Sequence, residues 1–302
     1  MDTNNIWFSG IGEFCKHTHN YYNSTHSATY HCEIRDQEIT SKNITEAFYK
    51  NLGDYRGTCE LLYSGGLDSE LVLKFLITQK IPTSVITLRL IKNGYPINIV
   101  DLYYSEKFCR ENHLKQYFFD LDIEKFFNNF QYLNYLKIYK INQFHVASHF
   151  WLIEKCHTYP ILGGDYPWPW ITKPLLSPFK YDYQCYDLYM KEKSINGIGN
   201  MLGNSIDSVS ILLNAHKDNF FNNFNGHALV PVLKQKIYNS LGLGKFELRT
   251  RSYGWDNLPS YIFNHEKHKI ISYILPETKN SISWGNIIGN IIGSTTNYND
   301  LF

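Results

Sequence analysis

The sequence predicts an α/β fold, a parallel sheet flanked by helices, with a mostly helical C-terminal half. Three observations predict it. Strand-like apolar runs at 59–63, 84–90 and 116–121 alternate with helix-like patterns at 69–79 and 99–113. From residue 177 onward this rhythm gives way to helical patterns at 182–194, 205–216 and 232–240. The chain has 302 residues and is 43% hydrophobic, enough to bury a sizeable core in one large or two smaller units. The expected division is an N-terminal extension with short strands over 1–45, an α/β unit over 46–175 and a mostly helical region over 176–302.

Taken in order, Ile6 to Gly10 and Ala28 to Ile34 read as strands. The stretch between them is rich in His, Asn, Ser and Thr and reads as a polar loop. His17, His19 and His26 lie there without neighbouring carboxylate or Cys clusters, so a solvated loop outweighs a metal pair. Thr40 or Ser41 caps a helix through Leu52, and Gly53 and Gly57 end it. Cys59 to Tyr63 is a strand, Ser69 to Gln79 a helix, and after Pro82 a second buried strand runs from Ser84 to Leu90. A strand, a helix and a second strand make a βαβ unit, with a right-handed crossover and parallel strands. Residues 99–113 read as a helix, 116–121 as a third strand, and 126–139 and 145–156 as helices. Tyr159 to Leu162 is a short strand that ends in Gly163-Gly164-Asp165.

The most informative stretch is Tyr63-Ser64-Gly65-Gly66-Leu67-Asp68-Ser69, where a strand turns directly into a helix. A helix start exposes unpaired N–H groups and a partial positive charge. Glycines let the backbone approach a ligand closely, and Ser64 and Ser69 add hydroxyl donors. These parts make an anion cradle suited to a phosphate or pyrophosphate. No Gly-Lys-Ser/Thr ends the loop, so it is not a Walker loop. In an open parallel sheet the ligand sits at the carboxyl ends of the strands, which brings 87–90 beside the loop.

Composition removes other classes. The formal net charge is +1, so nothing global draws the chain to nucleic acid or to an anionic membrane. The six cysteines form no Cys-x-x-Cys pair and read as free thiols rather than a disulfide framework or zinc site. No apolar stretch is long enough to span a membrane, and residues 1–5 carry no basic segment of the kind that opens a signal peptide. The expectation is a soluble, cytoplasmic protein with no membrane partner.

Ser64-Gly65-Gly66-Leu67-Asp68-Ser69 resembles the pyrophosphate loop of the ATP pyrophosphatases, which include asparagine, GMP and NAD synthetases and several tRNA-modifying ligases. The chain looks most like the synthetase domain of asparagine synthetase. The resemblance implies an adenine nucleotide alpha hydrolase-like fold, with 46–175 as the nucleotide-binding unit and 176–302 completing the site. It implies ATP and Mg²⁺ as cofactors. Ser64, Gly65, Gly66, Leu67, Asp68 and Ser69 are expected to hold the phosphates, Leu88 the base, and Gly164 the far side of the nucleotide. Asp68 and Asp165 are expected to meet the metal. The segment Lys245 to Asp256 resembles a late segment of the same proteins in which a basic residue reaches the phosphates, which makes Arg249 and Arg251 candidates beside Asp68.

The family reaction has a substrate oxygen attack the α phosphorus of ATP. Pyrophosphate leaves, and an amine, ammonia or sulfur nucleophile then displaces AMP. An N-terminal-nucleophile glutaminase needs a Cys after the initiator Met, and Asp2 stands there, so ammonia is expected free or from a partner. The missing Cys pairs argue against sulfur transfer. The main expectation is a ligase that adenylates a small carboxylate or carbonyl and transfers an amine or ammonia. The alternatives are a tRNA-base-modifying ligase, which the near-neutral charge disfavours, and a catalytically silent ATP-binding module.

Overall fold

In the computed structural model, the described residues are 5–10, 13–22, 25–32, 40–128, 135, 144–164, 177–181, 185–216 and 230–249. They form two sheets. The first is an antiparallel meander of β1 (Asn5–Gly10), β2 (Glu13–Tyr22) and β3 (Thr25–Cys32), closed by β9 (Ser177–Tyr181) against β3. The second holds β4 (Cys59–Leu62), β5 (Thr83–Lys92), β6 (Tyr95–Pro96), β7 (Gln116–Asp122) and β8 (Tyr159–Leu162). Here β4 lies parallel between β5 and β8, and β5 also pairs in parallel with β7. The short β6 turns back on β5 as an antiparallel hairpin through Asn93 and Gly94.

The helices are α1 (Ser41–Leu52), α2 (Leu67–Thr78), α3 (Ile99–Glu111), α4 (Ile123–Asn128), α5 (Phe144–Ile153), α6 (Cys185–Glu192), α7 (Ile206–His216) and α8 (Val230–Ser240). The α/β class read from the sequence is the fold observed, a mainly parallel sheet with helices on both faces. None of the described helices is long and apolar enough to cross a membrane.

Side-chain alternation along the strands explains the two layers. Leu62, Ile86 and Leu162 point into one buried cluster with Val146, Phe150, Tyr186 and Tyr189. Their neighbours Leu61, Val85 and Ile161 point into another, with Phe48, Leu71, Phe75, Leu212 and Tyr238. All four residues of β4 and of β8 are buried, as expected for strands covered on both faces. Thr40 caps α1 reciprocally with Asn43, its N–H donating to Asn43 Oδ1 at 2.9 Å, and Gly53 at φ 58° ends the helix.

Two expectations change. The polar stretch between the first two predicted strands is no loop, because β2 occupies Glu13–Tyr22. Its Thr, Tyr and Phe residues suit a strand, and ladders on both sides satisfy its backbone. Within the C-terminal region expected to be mostly helical, Ser177–Tyr181 forms β9 and pairs with β3. Of the helix expected at 126–139, only 126–128 and Tyr135 lie among the described residues.

Candidate functional site

The loop leaves the carboxyl end of β4, which places it over the centre of the parallel sheet. Gly65 has φ 85°, and a Cβ there would stand 2.2 Å from the Asp101 carbonyl oxygen at the start of α3. Only glycine satisfies both the backbone turn and the contact. The Gly66 N–H donates to Ser64 Oγ at 3.2 Å, and Ser69 Oγ donates to the Gly66 carbonyl at 3.1 Å. The two serine hydroxyls stand 3.4 Å apart. The first intrahelical bond of α2 runs from Glu70 N–H to the Gly66 carbonyl, so the amides of 67–69 precede the helix ladder. Ser64 is exposed at the rim. Amides, hydroxyls and a helix start thus converge on one concave turn, the arrangement that holds phosphate oxygens.

The first turn of α2 also carries two carboxylates. Asp68 Oδ2 lies 2.5 Å from Lys234 Nζ, and Asp68 Oδ1 accepts the Tyr238 hydroxyl. Lys234 and Tyr238 stand four residues apart on α8, so one helix face meets Asp68. Glu70 pairs with Arg249 and, at 3.3 Å, with Lys74. Arg249 also donates to the Gly65 carbonyl, and its guanidinium lies 4.8 Å from the Tyr104 ring centre. It is 8% exposed, and burial lowers its pKa, although a guanidinium stays charged in proteins. Burial pulls the Lys74 ammonium down to about 8.

Leu88 lies on β5 where that strand runs past the end of β4. Its carbonyl accepts the Asn98 carboxamide N–H at 2.9 Å, and Asn98 Oδ1 accepts the Leu90 N–H at 3.0 Å. Gly164 follows β8 with φ 84°, and a Cβ there would run into the Asn200 carboxamide. Asn200 Oδ1 holds the Gly203 N–H at 2.9 Å, while its Nδ2 is buried with no partner. The Leu202 N–H bonds the Gly163 carbonyl at 3.2 Å, which ties residues 200–203 to the end of β8. A cleft of about 360 Å³ opens behind the loop, between α2, α3 and 243–249, lined among others by Lys74, Lys107, Lys245 and Glu247.

Of the residues singled out in the sequence, Ser64 to Ser69 and Arg249 come together at this turn. Leu88 lies at the neighbouring strand edge and Gly164 at the end of β8. Asp165 and Arg251 lie outside the described residues. Sequence reading missed Glu70, Lys234, Tyr238, Asn98 and Asn200. The four-residue spacing of Lys234 and Tyr238 was visible, but nothing in it points at a loop more than 160 residues upstream.

The Mg²⁺ that the resemblance implies meets a poor donor set at Asp68. Both carboxylate oxygens are engaged, one by an ammonium that repels a dication. Among the described residues no three His, Cys, Asp or Glu side chains converge. Three thiols, Cys59, Cys109 and Cys156, are held away from the thiolate. Burial pushes Cys59 up to about 11 and Cys109 and Cys156 up to about 12.

No family model and no curated protein matches this chain. Among solved structures it is similar to a predicted subunit of tRNA methyltransferase from Methanocaldococcus jannaschii, at 15% identity and TM-score 0.32, covering 51% of this chain and 71% of that one. It is also similar to the U34-tRNA thiolase NcsA from Methanococcus maripaludis with its 4Fe-4S cluster, at 12% identity and TM-score 0.34. That match covers 80% of this chain and 83% of the thiolase. Both likenesses are remote, and the chain's own residues carry the interpretation of the site.

Proposed function

We propose that the chain is an ATP-using, AMP-forming enzyme. The phosphates of ATP sit in the turn Ser64 to Ser69, and the base lies along the edge of β5 at Leu88. An oxygen of the acceptor attacks the α phosphorus, the bond to the bridging oxygen breaks, and pyrophosphate leaves with the electron pair. An amine or ammonia then displaces AMP from the adenylate. The chemistry asks for positioning and anion stabilisation more than for a protein nucleophile. The amides of 67–69 and the hydroxyls of Ser64 and Ser69 supply donors where negative charge builds on the leaving pyrophosphate. Arg249, bonded to the Gly65 carbonyl, fixes the turn and adds positive charge beneath it.

The single observation that supports this reading is the strand–turn–helix itself. The string Ser-Gly-Gly-Leu-Asp-Ser stands at the carboxyl end of a central parallel strand, with its amides ahead of the helix ladder. In this first reading the acceptor is a small carboxylate or carbonyl compound.

A second reading takes a tRNA base as acceptor. The observation that favours it is Tyr95, 75% exposed at the tip of the β5–β6 hairpin and paired in register with Lys92. An exposed aromatic beside a cation is a stacking platform for an unpaired base.

One assay tests both. Pyrophosphate release from ATP is followed with a panel of carboxylates plus ammonium in one arm and with bulk tRNA in the other. Release in either arm is expected to fall about tenfold in Ser64→Ala, the effect of one lost hydrogen bond to a charged group. Cleavage to ADP and phosphate overturns the assignment. No nucleotide binding in any arm leaves a protein without this activity.

A further inference from the structure

Residues 244–249 belong to no helix or strand, yet they deliver Arg249 to the loop. Side chains from three helices hold them. On α8, Asn239 Oδ1 accepts the Phe246 N–H at 2.8 Å, and the Gln235 carboxamide donates to the Phe246 carbonyl at 2.8 Å. On α3, Lys107 pairs with Glu247 at 2.7 Å. On α2, Glu70 pairs with Arg249, and Lys74 donates to the Lys245 carbonyl. The Lys74 ammonium also lies 3.9 Å from the centre of the buried Phe246 ring and 3.3 Å from Glu70 Oε1. Glu70 and Lys74 stand one turn apart on the helix that begins at the loop.

Peptide geometry gives the Arg249 contact its effect. In a trans peptide the carbonyl of one residue and the N–H of the next point in opposite directions. Arg249 takes the Gly65 carbonyl, so the Gly66 N–H is turned the other way, to Ser64 Oγ at 3.2 Å. A peptide between two glycines meets little steric resistance to rotation. The rotated form would offer an anion in the turn a carbonyl oxygen in place of a donor.

We infer that Lys74 is a positioning residue for the loop. By fastening 244–249 to α2 it keeps Arg249 on the Gly65 carbonyl, and that bond keeps the Gly66 N–H on the Ser64 side of the turn. The helix whose start forms the cradle thus also holds, one turn further on, the segment that sets the cradle's backbone. This rests on the reading of the turn as a pyrophosphate site.

A double-mutant cycle tests it, by calorimetric titration of the full chain with inorganic pyrophosphate in excess Mg²⁺. Lys74→Met and Arg249→Met are each expected to weaken binding about tenfold. Both act on one peptide, so the double variant is also expected to lose about tenfold, where independent effects would multiply to about a hundredfold. Lys74→Arg keeps a charged donor beside the Phe246 ring and is expected to restore most of the loss. Hydrogen exchange reads the segment itself. Exchange in the peptide covering 243–249 is expected to be about tenfold faster in Lys74→Met than in wild type without ligand. In wild type, saturating pyrophosphate is expected to slow it, because the coupling is reciprocal. Circular dichroism reports whether each variant folds, and the wild-type exchange measurement needs no variant.

Losses that multiply in the double variant overturn the inference while leaving the pyrophosphate site in place. So does a folded Lys74→Met that binds as wild type does, or wild-type exchange at 243–249 that bound pyrophosphate leaves unchanged. Absence of pyrophosphate and ATP binding to the wild type overturns the site itself, and the inference with it.

Discussion

Gly65 shows how much one residue carries. Its positive φ and the 2.2 Å approach of the Asp101 carbonyl to a Cβ position act together. Gly65→Ala is expected to destabilise the fold by about 2–4 kcal/mol through strain and overpacking, read by urea denaturation. It should also abolish pyrophosphate binding, because α3 must move away from the turn. A variant with wild-type stability sinks the claim that this contact is tight. Asp187 offers a second test at this scale. Its Oδ1 accepts the Gly199 N–H at 2.7 Å, but burial dominates and raises the carboxyl from 3.8 to about 6. Between those values the native state keeps a proton that the unfolded state has lost. Stability therefore falls as pH rises through that window, by about 2–3 kcal/mol in all, and the full penalty is present above pH 6. Asp187→Asn keeps an acceptor for Gly199 and removes the charge. It should match wild type below pH 4 and melt higher at pH 8, and an equal or lower melting temperature at pH 8 counts against this account.

At the scale of elements, what the sequence made legible was local. Ser64 to Ser69 could be read because turn, glycines and hydroxyls lie within six consecutive residues between an apolar run and a helix start. The alternation of β4, α2, β5, α3 and β7 was visible for the same reason, since strands and helices print their own periods. β2 was not visible, because His, Asn and Thr at 16–20 look like a loop until neighbouring strands take up their backbone groups. The partners of the loop were hidden for another reason. Lys234 and Tyr238 reach Asp68, and Arg249 reaches Gly65, only because α8 and the segment after it fold back across α2. No local pattern encodes a contact between residues that far apart.

At the scale of the molecule, the α/β unit and the helices after it share one interior. Ile44, Phe48, Leu71 and Phe75 belong to the same buried cluster as Ile211, Leu212, Ile237, Tyr238, Leu241 and Phe246. Lys50 forms an ion pair with Asp207, and Asn51 Nδ2 donates to the Met201 carbonyl at 2.8 Å, so α1 is bound to the later half by polar contacts as well. Secondary structure and tryptophan fluorescence should therefore be lost in a single coincident urea transition. Two separated transitions, with the α/β unit surviving the first, would show instead that the halves are stable on their own.

The alternation in β4 has a further consequence for this loop. Leu61 faces one interior and Leu62 the other, and β5 and β8 repeat the same parity at Val85/Ile86 and Ile161/Leu162. Deleting a single residue from β4 moves Ser64 back by one step of about 3.3 Å and turns the side chains that follow the deletion to the opposite face. Neither interior can absorb that inversion alone, because each is closed by helices. The position of the turn is therefore fixed from two sides at once. Variation in chain length near the site has to fall in the connections, such as the hairpin at Asn93 and Gly94, rather than in the strand that delivers the loop.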